Sequence, residues 1–367
     1  MAGGDPAQVK DALELHRVRV PLRRGHHWAQ GSEMDREVVL VGWTRTGVTG
    51  WGECPTLTSA GYTTETTDQA WQALVHELGP AALAGREASV AGVVAAPAAL
   101  ADARLDAWLR RRGRSLVEHL GAQRRSVPRT AVLADLAASP GQLADRADAA
   151  VAAGARVVKV KIAPGHDELV LAEVAAALAG RAGVAADANG SYSDAVELAG
   201  VDALGLVYLE QPFAASRPLE ELVALQAALR TPVALDESLS DLASVRAAIQ
   251  LGAVDVVSVK PARLGGVQAA ASAVELAAAA GVAAFVGGML ELGIGRCTAA
   301  AVAALDGCTL PTDLGPSSAY VSADVCEPVV VDDDGDLVVP DGEGCGRVPD
   351  PARLVEAAVD VVRLEAP

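Results

Sequence analysis

Lys161, Asp187, Glu210, Asp236 and Lys260 each close a short β-branched run, in the order lysine, three carboxylates, lysine. The carboxylates are 23 and 26 residues apart, one strand-plus-helix repeat each. On neighbouring parallel strands they would arrive at one height. Three converging carboxylates repel and raise one another's pKa unless a cation joins them. A hard divalent ion resolves this, and few all-oxygen protein ligands favour Mg²⁺, with Mn²⁺ as the substitute. Lys159 and Lys161 lie two apart in their run and point to one side of the sheet. A substrate held on the metal would meet an amine on each of two opposite faces. Close cations and burial lower a lysine's pKa and leave a neutral amine to act as a base. The chemistry this set suits is removal of a proton α to a carboxylate, with metal and lysine stabilising the enolate.

Each residue also has a plain structural reading. A lysine at a strand end is commonly just solvated. Asp187-Ala188-Asn189-Gly190 is ordinary turn chemistry. Asp236-Glu237-Ser238 could be the N-cap of a following helix. The case for chemistry rests on all five falling on consecutive repeats.

Eight β-branched runs begin at residues 130, 156, 183, 206, 232, 254, 282 and 308. Ala-rich helical stretches such as 141–154, 166–180 and 266–281 separate them. Nearly continuous apolar strands with helices between them imply a parallel sheet covered outside, and eight units imply a closed barrel. An open doubly wound sheet is the competitor, but no G-x-G-x-x-G follows any run. The first third reads differently: strands at 15–21, 37–45 and 48–53, the last two joined at Thr46-Gly47, then helices near 66–79 and 98–112. The second helix, with the stretch DARLDAWLRRRGR, is apolar on one face and basic on the other. Beyond 318 an acidic hairpin over 327–350 and a short helix are expected to pack back on the N-terminal part.

The chain has 367 residues, 51% hydrophobic and 21% charged, enough for a large core. Its net charge of −17 argues against nucleic acid or an anionic membrane as partner and leaves a small-molecule substrate. No uncharged apolar run is long enough to span a bilayer, and the start lacks a signal-peptide pattern. Five widely spaced cysteines without C-x-x-C point to a reducing, cytoplasmic setting and to no zinc site.

The segments VVKVKI, AADANGSY, YLEQP, ALDES, VKPARLGG and VGGMLELGIGR, in this order, resemble the enolase superfamily, muconate-lactonizing subgroup. Sites of that superfamily use a Lys or His base with Mg²⁺. The resemblance implies a modified TIM barrel, (β/α)7β, with an α+β capping domain formed by both chain ends. The divisions would be 1–130 for the cap, 131–318 for the barrel and 319–367 for a segment returning to the cap. It further implies Asp187, Glu210 and Asp236 as metal ligands. Lys161 would be the base, and then the acid that helps hydroxide leave. Lys159 would touch the substrate carboxylate and depress the pKa of Lys161. Lys260 would stabilise the enolate, or act as second base in a racemase. Asn189, Arg263, Gly288 and Met289 are expected to contact substrate, and GWGECP (50–55) to be the second mobile loop of the cap. Trp28, Trp51 and Tyr62 are expected near the cap loops or in the cap core. Within the subgroup, KIAPGHD, Arg263 and GGMLELGIGR most resemble o-succinylbenzoate synthases and N-acylamino acid racemases. Leu292 stands where that branch usually has threonine. The expected activity is Mg²⁺-dependent dehydration of 2-succinyl-6-hydroxy-2,4-cyclohexadiene-1-carboxylate by a homo-oligomer. N-acylamino acid racemisation, muconate cycloisomerisation and a non-catalytic metal-binding relative are the alternatives. A single Asp313 where dipeptide epimerases carry D-x-D argues against that activity.

Overall fold

The computed structural model describes residues 11–28, 31–59 and 63–366, the side chains of 26–28 and 31–33 excepted. The strands are β1 (Ala12–Trp28), β2 (Gly31–Arg45), β3 (Val48–Cys54), β4 (Ser126–Val127), β5 (Thr130–Leu133), β6 (Val157–Lys161), β7 (Gly183–Asp187), β8 (Leu209–Glu210), β9 (Val233–Leu235), β10 (Val256–Val259), β11 (Ala283–Val286), β12 (Leu337–Val338) and β13 (Ala358–Glu365). The helices are α1 (Thr67–Ala73), α2 (Gly79–Leu83), α3 (Ala95–Arg110), α4 (Leu116–Leu120), α5 (Pro140–Ala152), α6 (Glu168–Leu178), α7 (Ala199–Asp202), α8 (Leu219–Ala228), α9 (Leu242–Leu251), α10 (Pro261–Leu264), α11 (Val267–Ala279), α12 (Gly293–Ala303) and α13 (Pro351–Ala357).

The cap sheet is antiparallel in the order β13-β1-β2-β3, so both chain ends build it. Thr46 and Gly47 have φ of 50° and 79°, the two positive values that a tight two-residue hairpin needs, and Arg45 pairs with Val48 across it. Glycine is required on β3. A Cβ at Gly50 or Gly52 would stand 2.0 Å from backbone atoms of Ala107 or Ala99, so α3 lies directly on the strand. The GWGEC segment is therefore a largely buried strand, a correction to its reading as a loop.

The second sheet is parallel and curled, ordered β11-β10-β9-β8-β7-β6-β5, with a helix after each inner strand. The expected eighth run, 308–314, forms no regular strand, because Pro311 lacks an N–H at its middle. It still closes the ring. Leu310 and Asp313 donate to Ala284 and Val286 of β11, while Thr312 donates to Pro128 and accepts from Thr130 at β5. Capping boxes at Ser139–Gln142 and Asp241–Ser244 start α5 and α9.

The acidic hairpin packs back on the N-terminal part as expected: Leu116 N–H donates to Gly344 O, and Cys345 N–H to Asp106 at 2.6 Å. Its β12 pairs with β4, and Arg129 Nε donates to Gly335 O at 2.6 Å. A Cβ on Gly335 would lie 2.3 Å from Ala153 O, at the amino-terminal end of the barrel. The cap sheet is completed by β13, which pairs with β1 from Ala12–Glu365 to Val18–Ala358. Among the described residues, no helix is long and apolar enough to cross a membrane.

Candidate active site

One apolar layer plugs the barrel: Val157, Ala185, Tyr208, Ala234, Val256 and Phe285, from consecutive strand positions. The Tyr208 and Phe285 rings stack with centroids 5.2 Å apart. Side chains return to the same face every second residue. The next inward layer is therefore Lys159, Asp187, Glu210, Asp236, Ser258 and Gly287, with Lys161 and Lys260 one step higher. Along the sheet, Lys161 pairs with Asp187 and Asp187 with Glu210, so Lys161 stands beside the carboxylates at the strand ends. The five residues read from the sequence thus share the carboxyl-terminal mouth, where active sites of such barrels sit.

The buried Lys159 donates to Glu210 at 2.5 Å and also to Asp313. Burial opposes its charge, but Asp313 and Glu210 outweigh burial and hold its pKa well above the ordinary value. Glu210 is pushed up by burial and, despite Lys159, by the like charges of Asp187, Asp236 and Asp313. Asp236 accepts from Lys260 at 2.6 Å and from Arg263. Burial would raise its pKa, but Arg263 and Lys260 hold it well below the carboxylate range. Lys260 also acts on Asp313, so Lys159, Lys260 and four carboxylates form one electrostatic cluster. Among the described residues, no hydrogen bond or ion pair engages the half-buried Lys161.

The turn reading of Asp187 holds in part, since its Oδ1 accepts from Asn189 N at 3.1 Å. Asn189 itself reaches Glu237 at 2.9 Å. Burial, then Asp236 and Asp187, raise Glu237 to about 7. Asp236 is not a helix cap, for that role belongs to Asp241. Arg263 sits on α10 and is turned onto Asp236. Met289 donates through its N–H to Glu291 at 2.9 Å, and a Cβ at Gly288 would face Arg296 at 2.9 Å. Trp51 lies on β3, its N–H donating to Asp106 at 2.8 Å, in the cap packing rather than on a loop. Tyr62 and the Trp28 side chain lie outside the described residues.

Sequence reasoning missed four members. Asp313 shares Lys159. Gln211 accepts from the Asp236 and Ser238 amides at 3.1 and 3.2 Å and so orients the metal-side loop. Ser258 Oγ is buried without a hydrogen-bond partner among the described residues. Gly287 lies where a Cβ would stand 2.8 Å from Lys260 Cε. The two-residue period from the plug layer would have found Ser258 and Gly287. Asn189 and Gln211 each have φ 41° and Leu290 has 56°, strained values that follow strands at this mouth.

Among the described residues, no three His, Cys, Asp or Glu side chains are gathered tightly enough to hold an ion. The chain's own cations instead lie against two of the three carboxylates. The donor chemistry nevertheless fits Mg²⁺. The three groups are hard oxygens, their mutual repulsion burdens Glu210, and unpartnered oxygens of Asn189, Glu237 and Asp313 could accept from water on a hydrated ion.

The family described as enolase C-terminal domain-like matches residues 142–353. The chain belongs to the enolase superfamily. An N-succinylamino acid racemase of Amycolatopsis sp is 35% identical over 356 residues, covering 94% of this chain and 96% of the relative. An o-succinylbenzoate synthase of Geobacillus stearothermophilus is 33% identical over 345 residues, covering 90% and 91%. A probable mandelate racemase from Alicyclobacillus acidocaldarius superposes with a TM-score of 0.91 at 36% identity, covering 97% and 98%. For muconate lactonizing enzyme from Pseudomonas fluorescens the TM-score is 0.88 at 25% identity, covering 96% and 100%. These neighbours superpose over nearly the whole chain, barrel and cap together, and the relatives are synthases and racemases by name.

Proposed function

We propose that this superfamily member is an o-succinylbenzoate synthase dependent on Mg²⁺. The observation that carries the reading is the pair of lysines on β6 and just past β10, facing one carboxylate layer from opposite sides of the barrel. Asp187, Glu210 and Asp236 would hold Mg²⁺, which when bound supplies positive charge against the substrate carboxylate as it takes on enolate character.

Lys161, engaged by no other group among the described residues, takes the proton α to the carboxylate, and the C–H electron pair becomes the enolate. Lys260, an ammonium on the other face, stabilises that charge without moving. The enolate pair then forms the ring double bond as the C–O bond at the neighbouring carbon breaks. The proton carried by Lys161 joins the departing hydroxide, giving water and o-succinylbenzoate. Lys159 stays protonated between Glu210 and Asp313 and keeps the mouth from carrying excess negative charge. All five cysteines are free thiols, which supports a cytoplasmic setting.

N-succinylamino acid racemisation is the second reading, favoured by the Amycolatopsis relative's name and by the second lysine. Both reactions begin at a carbon α to a carboxylate in a succinyl-bearing acid. The test offers the cyclohexadiene acid and a panel of N-succinylamino acids to the Mg²⁺-loaded enzyme in D₂O. Wild type should form o-succinylbenzoate, and Lys161→Ala should lose about 10²- to 10⁴-fold. Deuterium entering N-succinylamino acids without product from the diene would favour racemisation. Neither product from the diene nor exchange into the N-succinylamino acids would reject both readings.

A further inference from the structure

The turn after β11 carries Gly287 against Lys260 and continues through Gly288 and Met289 into α12. Two cap residues grip it. Arg36 on β2, fully buried, donates through Nε to Leu290 O at 2.9 Å and through Nη2 to Met289 O at 3.3 Å. The same guanidinium holds Thr56 O at 2.7 Å, Pro55 O at 2.6 Å and Glu37 O at 2.8 Å. Glu53 on β3, also buried, accepts from Leu292 N at 2.6 Å and from Gly295 N at 2.8 Å. The guanidinium thus takes the turn's carbonyls and the Glu53 carboxyl oxygens its amides. Leu292 offers no side-chain cap, so Glu53 serves as one for α12 from another part of the fold. A Cβ at Gly295 would stand 2.9 Å from Glu291 Cβ and 3.2 Å from Glu53 Cδ, so the position is crowded from both sides.

A buried guanidinium is costly unless its N–H groups are met, and apolar residues would stabilise the same space at least as well. What a planar fork adds is direction: it fixes carbonyls of separate segments relative to one another. Here those segments are the strand end at Pro55–Thr56 and the barrel turn at Met289–Leu290. Leu290 is held at φ 56° between them, a conformation that needs outside support.

We propose that Arg36 and Glu53 are positioning residues for the active site, holding the 289–295 segment so that the turn beside Lys260 is preformed for the substrate's distal group. The inference rests on the barrel mouth being the carboxylate α-proton site. The pair acts on binding more than on the proton-transfer step, because its hydrogen bonds described above run to the turn and to the cap backbone.

The test uses full-length, Mg²⁺-loaded enzyme with Arg36→Lys and Glu53→Gln, measuring kcat and KM for the cyclohexadiene acid, α-proton exchange at saturation, and Tm. Expected in both variants is a KM raised roughly 10- to 100-fold, with saturated exchange within about threefold of wild type. A purely structural role would lower Tm and leave KM where it was. KM within about twofold of wild type in both variants overturns the proposal, whatever Tm does. If Arg36→Lys fails to fold, Glu53→Gln decides on the same criterion. Wild-type enzyme that neither turns over the cyclohexadiene acid nor exchanges an α-proton would reject the functional reading and this inference with it. Turnover with unchanged KM rejects the clamp alone.

Discussion

Lys159 binds Glu210 on one side and Asp313 on the other, and each acid stands two positions around the barrel from β6. Glu210 is reached across β7. Asp313 is reached across β5, on the segment that closes the ring. The ammonium therefore ties the seam of the barrel to its carboxylate layer. Removing it would leave several buried carboxylates facing one another. Lys159→Met is expected to lose about 3 to 5 kcal/mol of unfolding free energy. Asp313→Asn should lose less, because Lys159 keeps Glu210. Urea unfolding of the metal-free protein decides; a Lys159→Met protein as stable as wild type would refute the tie.

Gly287 gives a sharper probe of Lys260. The added methyl of Gly287→Ala would meet Lys260 Cε at 2.8 Å and Ser258 Oγ at 3.1 Å. The lysine must swing, while Asp187 and Glu210 are untouched. A fall in kcat of roughly 100-fold is expected with little change in Mg²⁺ affinity. Calorimetric Mg²⁺ titration beside steady-state kinetics checks it, and undiminished kcat would show that Lys260 has room to spare.

The strand-end residues were legible because a barrel turns a sequence repeat into a ring. Once β6 to β10 follow one another with period-two side chains, Lys161, Asp187, Glu210, Asp236 and Lys260 have little choice but to share a rim. The hairpin at Thr46-Gly47 was legible for an equally local reason. Other features depend on pairings between distant segments. Nothing near Asp313 announces Lys159, which is 154 residues away. The strand at 48–53 was legible from its residues, while the resemblance cast GWGECP as a loop; its glycines answer to α3, which neither reading supplied. β13 went unread since it gains its partner only from the opposite end of the chain. The resemblance supplied Arg263 as a substrate contact, and its bond to Asp236, set by the fold, was not legible in the sequence.

Metal loading should be visible without turnover. A ligand that binds only the folded state stabilises it, by about 2.7 kcal/mol at a hundred times its dissociation constant. Mg²⁺ is expected to raise Tm in wild type, and the increment should vanish in Glu210→Gln, the carboxylate most burdened by like charge. A wild-type Tm indifferent to Mg²⁺ at millimolar concentrations would contradict the ligand set.

The junction between cap and barrel should give stability a pH dependence. Two cap carboxylates lie at amino-terminal ends of barrel helices: Glu53 at α12, and Asp102 at α11, where its Oδ1 accepts from Val267 N at 2.9 Å. Burial is the main cause of the raised pKa of each. Glu291 and Asp324 add to it at Glu53, which reaches about 8, and Asp106 adds at Asp102, which reaches about 7. Ordinary carboxylates in the unfolded chain titrate near 4. Between these limits the folded protein holds protons that the unfolded chain has released, so this contribution is whole below about pH 4 and is lost as pH rises through 7 and 8. Each group contributes a slope of up to about 1.4 kcal/mol per pH unit. Glu237, raised to about 7, acts in the same direction, so the comparison must be made between variants. Unfolding free energy should fall from pH 5 to pH 8 in wild type, and Glu53→Gln and Asp102→Asn should each flatten that fall by the share of one proton. Parallel pH profiles for wild type and both variants would mean that the two carboxylates are ionised in the native protein across this range.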